Sequence, residues 1–540
     1  MIRIFNVAQN LVVMIERVII RNFKGIKEAD IHFNAGKNIL VGNNGVGKST
    51  IIEALSLALG YGYSQFELNQ YSFHQIIWNE FKESHIAPEI LIELYFQHTS
   101  QLAQFSGKNN TLRKDCIGLR FRCYFDQFKF PDVDLSKYDV IPYEYYTKER
   151  YWFSDTPVHQ MQIPVCVQII DSTTNYFNSR TNTYVSSLIK NTFDDSNNAD
   201  FIGCIRRLKD TFETDAKIKA INGELSRSAE DVKKDLEISI NFSSKIVWNS
   251  IVCPFLKKIP IEQIGQGDLC ILKTLISIVD TKKTYKITIL EEPESHLSHT
   301  KMYELLDLLL QKNIGQLFIT THNSFVANRL DIGNLIILTN TDGIVNAKTI
   351  VDDKKELSYF SKTPNFPTLR IALCKAALLV EGPTDEMIVE YCFRKLYEKH
   401  PFEMGIEVIS VGGVQFHHYS KLIPMTKRVA IVTDNDRKTH RELVSYRSIT
   451  ENAYIKLFTD ENIENYTLEV AFVDANRENI EKLSYILRNK RVSSETMRSL
   501  TDYLLNNKSE WSYRLLQSND INFNVPIYIE RAVKWVCGYE

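Results

Sequence analysis

Gly42-Asn43-Asn44-Gly45-Val46-Gly47-Lys48-Ser49 decides the fold class of this 540-residue chain. The stretch fits G-x-x-x-x-G-K-[ST] at every fixed position. It follows the apolar run 38–41 and opens the helical apolar spacing of 49–59, the strand–loop–helix context in which such a loop holds phosphate. Glycines let backbone N–H groups turn inward, and the helix N-terminus adds positive potential. Asn43, Asn44, Gly45, Gly47 and Thr50 are the expected lining. Lys48 is expected to reach the β/γ-phosphates of ATP, and Ser49 to ligate Mg²⁺. A chance match in a chain this long has odds of about one in a hundred at average residue frequencies, so a plain glycine turn is the weaker reading.

The partner motif lies far downstream. Ile287-Thr288-Ile289-Leu290 reads as a buried strand ending in Glu291-Glu292-Pro293-Glu294. A carboxylate at a strand end can hold Mg²⁺, and the next can polarise an attacking water. Alone, these acids would read as a solvated turn; beside the phosphate loop they read as its catalytic partner. A gap of roughly 240 residues is too long for one ordinary nucleotide-binding core, so an insertion is expected.

Residues 15–59 alternate strand and helix signals, and 60–160 carry short alternating runs, 89–96 and 118–125, that predict antiparallel strands. The polar stretch 170–245 has helical periodicity at 202–213 and 228–240, and fills the role of the insertion. Strand–helix rhythm returns at 246–350, and the charged, proline-bearing 351–367 marks a boundary. A second α/β unit follows. The expected divisions are 1–165 and 246–362 for one nucleotide-binding domain, 166–245 for a helical insertion, and 370–540 for the second domain.

In that second unit the apolar run 377–380 ends in Glu381-Gly382-Pro383-Thr384-Asp385, and 429–432 ends in Thr433-Asp434-Asn435-Asp436. Positions i and i+2 of an extended chain project to one side, so Asp434 and Asp436 are expected to share a site. Hard carboxylate oxygens suit Mg²⁺, Mn²⁺ or Ca²⁺ rather than zinc. Lys427, Arg428, Arg437, Lys438 and Arg441, and a second cluster at Arg488, Lys490 and Arg491, offer phosphate-binding charge; a solvated helix face is the plainer reading of the second cluster.

Composition bounds the rest. With 44% hydrophobic and 24% charged residues and a net charge of −2, the chain reads as globular, and any nucleic-acid contact must be local. No apolar run reaches the roughly eighteen residues of a membrane helix. The first residues lack a cleavage site for a signal peptide, and Met14 is an alternative start. Nine cysteines without a C-x-x-C pair fit a reducing cytoplasm and exclude a zinc module.

These motifs resemble the ABC-type ATPases of the RecF, SMC and OLD (overcoming lysogenization defect) kind. Ile20-Arg21-Asn22-Phe23 matches their opening strand, Ile264-Gly265-Gln266-Gly267-Asp268 their signature loop, and Phe318-Ile319-Thr320-Thr321-His322 their switch-histidine strand. The resemblance implies Glu291 as a Mg²⁺ ligand, Glu292 as catalytic base and His322 as γ-phosphate sensor. It also implies a homodimer or higher oligomer in which Gly265 and Gly267 meet ATP held by the other copy. Glutamate stands at 291 where the family usually has aspartate, and Gly265 where transporters have serine. The family's Q-loop glutamine is either Gln75 or Gln97.

The glutamate-glycine strand end and the D-x-D resemble a Toprim domain of the OLD nuclease type. That resemblance implies a two-metal set of Glu381, Asp385, Asp434, Asp436 and Glu469, the last in Thr467-Leu468-Glu469, with Lys508 stabilising transition-state charge. Asp385 stands where much of the family has glutamate. The implied fold class is α/β: an ABC/RecF/SMC-like P-loop ATPase with an inserted helical dimerisation region, then a C-terminal Toprim domain. The implied function is a nucleotide-regulated, metal-dependent DNA endonuclease in antiphage defence, of a Gabija-like or retron-associated branch. Its implied partners are DNA and a helicase or a retron reverse transcriptase with its RNA, and no membrane. The alternative is a DNA-binding ATPase sensor with a silent Toprim domain.

Overall fold

A computed structural model of the chain describes residues 13–539 apart from 61–62, 64–65, 101, 159–165, 172–185, 187–188, 190–192, 229–236, 240–252, 280–285, 312–314, 350–367, 413–415, 417–426, 489–495, 519 and 521. The chain divides into two compact units. One holds the residues up to 322 with 338–348, the other 323–337 with 349 onward.

The first unit is built on β1 (Ile15–Phe23), β2 (Ile26–His32), β3 (Lys37–Val41), β4 (Ile90–Phe96), β5 (Ser106–Gly107), β6 (Cys116–Phe125), β7 (Tyr146–Trp152) and β8 (Cys166–Asp171). A small hairpin, β9 (Phe255–Leu256) with β10 (Ile259–Pro260), precedes β11 (Lys286–Glu291), β12 (Gln316–Thr320), β13 (Leu335–Thr341) and β14 (Ile344–Thr349). Twelve strands join in the order β5-β6-β4-β1-β2-β14-β13-β3-β12-β11-β8, with β7 on β6. One wing, β1, β2, β4, β6 and β7, is antiparallel. The other, β3, β12, β11 and β8, is parallel. β12 is buried at all five positions, with Leu317-Phe318-Ile319 as its apolar centre, as a strand covered on both faces requires.

Two expectations change here. β8 pairs in parallel with β11, so the sheet extends past the expected boundary at 165. Its strand is short and apolar, a signal that periodicity alone does not separate from helix. Residues 323–337, assigned from sequence to the ATPase, cluster with the second unit. The expected helical stretch at 202–213 lies in the helix Asp195–Thr214, followed by the helix Ala216–Ser228. Most of 228–240, the boundary segment 351–367, and Lys490 and Arg491 lie outside the described residues. The span 60–160 holds the expected antiparallel strands and also the helix Gln75–Ser84.

The second unit holds β15 (Ala376–Val380), β16 (Ile406–Ser410), β17 (Val429–Val432) and β18 (Ile455–Phe458) in the order β16-β15-β17-β18, every pairing parallel. β15 and β17 are buried throughout. The helices Pro383–Tyr397 and Ile527–Cys537 pack on this sheet. Trp511 and Phe472, ring centroids 5.1 Å apart, belong to its core. At about 1.5–3 kcal/mol per fully buried large apolar side chain, these contacts are what fixes the strand ends. No helix among the described residues is long and apolar enough to cross a membrane.

Candidate functional site

The first site gathers at the C-terminal ends of three parallel strands, the place where open α/β sheets bind ligands. Register pairs Thr320 with Leu40 on one side and Glu291 on the other. β3 therefore delivers the glycine loop, β11 the acids and β12 the histidine to one edge. Gly47, at φ +106°, turns the chain into the helix Lys48–Ala58, a conformation that only glycine adopts cheaply. A Cβ on Gly42 would meet Val46 Cγ1 at 2.7 Å and the Leu338 carbonyl oxygen at 2.9 Å.

Lys48 is buried. Its Nζ donates to the carbonyls of Gly42 at 2.9 Å and Asn43 at 3.1 Å. Burial pushes its pKa down, against the pull of Glu292, Glu291 and Glu294. Phosphate oxygens are better acceptors for an ammonium than two carbonyls, so the lysine is poised to exchange partners. Asn43, Asn44, Gly45 and Ser49 are exposed around it, with Thr50 half-buried.

Glu292 adopts the left-handed region at φ 40° and donates its N–H to the Thr320 carbonyl at 3.0 Å. Its Oε1 lies 3.3 Å from His322 Nε2. Glu294 was missed by the sequence reading as a functional residue. Its Oε1 accepts from the Thr321 hydroxyl at 2.6 Å and from the His322 backbone N–H at 2.7 Å. It therefore ties the end of β11 to the histidine turn.

The structure keeps Gly265 and Gly267 on a separate turn that opens the helix Gln266–Val279, which packs against the turn Pro293–His296. Gly265 is exposed, and a Cβ there would meet nothing within 4 Å. Asp268 is held by Lys301 at 3.0 Å. Neither Gln75 nor Gln97 hydrogen-bonds to the loop through its side chain among the described residues; the Gln97 N–H donates to the Met14 carbonyl.

The second site forms at the ends of β15 and β17. Glu381 follows β15 directly, Pro383 opens the next helix, and Asp385 at its third position accepts the Gly382 N–H at 3.0 Å. Proline costs nothing at a helix start, where its missing N–H has no partner to lose. Beyond β17, the Thr433 hydroxyl donates to Glu381 Oε1. Buried Asn435 donates to the carbonyls of Asp460 at 3.1 Å and Asn462 at 2.9 Å, locking the D-x-D loop to the loop after β18. Glu469 enters from the first turn of the helix Leu468–Ala475 and is buried.

Burial, then the charges of Asp385, Glu381 and Glu469, push Asp434 up to about 8. Burial, then Glu381, push Asp385 up to about 7. Four carboxylates thus act on one another here, Asp385 and Glu469 buried and Glu381 and Asp434 half-buried. Asp436 departs from the expectation. It takes φ 50°, off the extended path, its side chain is 44% exposed, and it pairs with Arg447 at 3.1 Å. The i/i+2 rule fails because the strand has already ended at Val432.

Among the described residues no three acidic, histidine or cysteine groups are drawn close enough to hold an ion as they stand. The chemistry of the carboxylate set nonetheless fits a divalent cation: hard oxygen donors, with Asp434 Oδ1 buried and without a hydrogen-bond partner. Tyr528, buried beside Asp434 and Asp385, has its phenol pushed well above the usual range by burial and these charges. Sequence reading gave no role to Thr433 and Asn435, which stand at unspecified positions of the D-x-D stretch, or to Tyr528 and Arg447, which lie outside any spaced motif.

Lys508 is exposed at the first turn of the helix Lys508–Gln517 and forms no ion pair among the described residues, so the structure does not bring it into the acidic set. Arg428 donates to the Trp535 carbonyl at 2.6 Å. Arg437 and Lys438 lie over the rings of Tyr466 and Tyr446. Arg488 donates to the Ser499 carbonyl at 2.9 Å.

Residues 14–327 match the AAA ATPase domain family, and 373–436 match the Toprim domain of proteins like the overcoming lysogenization defect protein. The chain belongs to the OLD family of ATPase–Toprim proteins. Membership carries the use of a nucleotide and of divalent metal in general terms. Among its relatives is Endonuclease GajA of Bacillus cereus strain VD045, 23% identical over 493 residues, covering 84% of this chain and 80% of the relative. Endonuclease GajA of Bacillus cereus strain HuB5-5 is 20% identical, with 92% of each chain covered. The solved C-terminal region of the Burkholderia pseudomallei OLD protein is 18% identical, covering 30% of this chain and 97% of that one, with a TM-score of 0.24.

Proposed function

We propose that this OLD-family protein is a nucleotide-regulated, metal-dependent DNA endonuclease that acts in antiphage defence. The observation that carries the reading is the buried carboxylate group at the ends of β15 and β17, with an oxygen of Asp434 left without a partner. The kinship to two endonucleases supports it.

Glu381, Asp434 and Asp436 are the proposed catalytic carboxylates, and Asp385 and Glu469 complete the donor set. When bound, Mg²⁺ or a like cation supplies Lewis-acid stabilisation of the attacking and leaving oxygens of a phosphodiester. The chain's own residues orient and shield. Thr433 fixes the Glu381 carboxylate, Asn435 fixes the loop, and Tyr528 keeps water from the inner face. Lys508 keeps its ammonium for a DNA phosphate. In the first unit Lys48 exchanges its two carbonyls for the phosphates of ATP, Ser49 and Glu291 would hold the accompanying Mg²⁺, Glu292 takes the proton of the attacking water, and His322, 3.3 Å from Glu292, senses the γ-phosphate. The open turn at Gly265 and Gly267 leaves room for a nucleotide bound to a second copy. A helicase partner belongs to the Gabija-like reading and a reverse transcriptase with its RNA to the retron reading; co-purification from a strain carrying each separates them.

The test is digestion of supercoiled and linear DNA with Mg²⁺ or Mn²⁺, with and without ATP, beside Asp434→Ala. Metal-dependent cutting that disappears in the variant is the expected result, and the ATP lanes give the sign of control. Cutting that survives in Asp434→Ala overturns the site. No cutting by either protein, with every candidate partner added, returns the chain to the sensor with a silent Toprim domain.

A further inference from the structure

The acidic set of the second unit carries a cation of its own. Arg447 caps the C-terminus of the helix His440–Tyr446 and is 3% exposed. Its Nη2 alone serves two carboxylates, donating to Glu381 Oε1 at 2.7 Å and to Asp436 Oδ2 at 3.1 Å. Nε and Nη1 are buried without a hydrogen-bond partner, against the rings of Tyr446 and Phe416, whose centroids lie 5.7 and 5.9 Å from the guanidinium carbon. Two unpaired donors on a buried charge are a cost that a purely structural strut would avoid by pairing both edges of its fork.

The placement explains that cost. Arg447 takes one oxygen of each carboxylate and leaves the other: among the described residues, Glu381 Oε2 and Asp436 Oδ1 have no hydrogen-bond partner. Its own free nitrogens are sealed from solvent, so it does not reach a DNA phosphate. The charge count agrees. Glu381, Asp385, Asp434, Asp436 and Glu469 carry five negative charges when ionised, which two divalent cations and one arginine balance.

We infer that Arg447 is a positioning residue of the nuclease centre, clamping Glu381 and Asp436 through one oxygen each so that the second oxygen of each is presented to a divalent cation. This rests on the metal-dependent reading above. Groups that orient metal ligands from behind typically account for about ten- to hundredfold in metal affinity.

The experiment uses the full chain and three readouts: Mn²⁺ binding by calorimetry without DNA, thermal unfolding, and DNA cutting across a Mn²⁺ series. Arg447→Lys keeps the charge and loses the fork, so a change reports geometry. Arg447→Gln removes the charge; if charge repulsion were all that mattered, this variant would bind Mn²⁺ more tightly. Both are expected to bind Mn²⁺ at least about tenfold more weakly, with cutting recovered at high Mn²⁺. If one variant fails to fold, the other decides. Unchanged or tighter Mn²⁺ binding in a folded variant overturns the inference. So does cutting that is lost at every Mn²⁺ concentration while binding stays intact, which would make Arg447 a substrate contact. A wild-type chain that binds no Mn²⁺ overturns the metal reading itself, and is told apart by needing no variant.

Discussion

At the scale of single residues, Glu294 and Asp434 make opposite demands. Glu294 holds the Thr321 hydroxyl and the His322 N–H with one oxygen. Hydrogen bonds to a charged group are worth about 1.5–3 kcal/mol each, and about 1.4 kcal/mol is a factor of ten in rate. Glu294→Ala is therefore expected to lower ATP turnover by at least about tenfold, with nucleotide affinity changed much less; a steady-state ATPase assay beside equilibrium binding of a fluorescent nucleotide checks the split. Asp434 is held in a place that disfavours its charge. Asp434→Asn keeps the shape and removes the repulsion. It is expected to raise the metal-free melting temperature by roughly 2–4 °C, the equivalent of about 1 kcal/mol in a unit of this size, while Mn²⁺ no longer raises it further. A lower metal-free melting temperature in the variant would remove electrostatic strain from the account of this site.

At the scale of elements, the second site depends on a helix that contributes no ligand. Trp511, on the helix Lys508–Gln517, packs on Phe472 of the helix that carries Glu469. Trp511→Ala is expected to cost about 3–5 kcal/mol and to weaken Mn²⁺ binding, because the Glu469 helix loses its backing; thermal unfolding and calorimetry on the same sample measure both. Elements also explain which expectations held. The glycine loop, the three acidic strand ends and the strands feeding them were legible, since each is a local pattern a few residues long. Strand β8 was not, because its only structural signal is a partner, β11, more than a hundred residues away in sequence. Asp436 was placed by strand periodicity four residues beyond Val432, where the strand stops, and its left-handed backbone carries it toward Arg447.

At the scale of the molecule, the chain divides into two compact units, each carrying one of the two proposed ligand sites. A ligand at a hundredfold its dissociation constant stabilises the form that binds it by about 2.7 kcal/mol. ATP and Mn²⁺ are therefore expected to raise different melting transitions of the full chain. Lys48→Ala should abolish the response to ATP alone, and Asp434→Asn the Mn²⁺ response of the second unit. Differential scanning calorimetry of the three proteins with each ligand tests this; a single transition moved by both ligands would show that the units unfold together.

The sequence by itself determined the donor types at each strand end: a glycine loop that opens a helix suits an anion, and carboxylates that follow buried strands suit a cation. It also determined the order of the two units, because each opens with its own motif. Only the tertiary structure decided which side chains answer those carboxylates. Arg447 and Thr433 donate to Glu381, and Tyr528 is buried beside Asp434 and Asp385, from positions scattered between 433 and 528. Glu294 reaches the histidine turn across the β11–β12 pair. The reason is physical. Hydrogen bonds and desolvation act over a few ångströms of space, whatever the distance along the chain, and only packing brings such residues within that range.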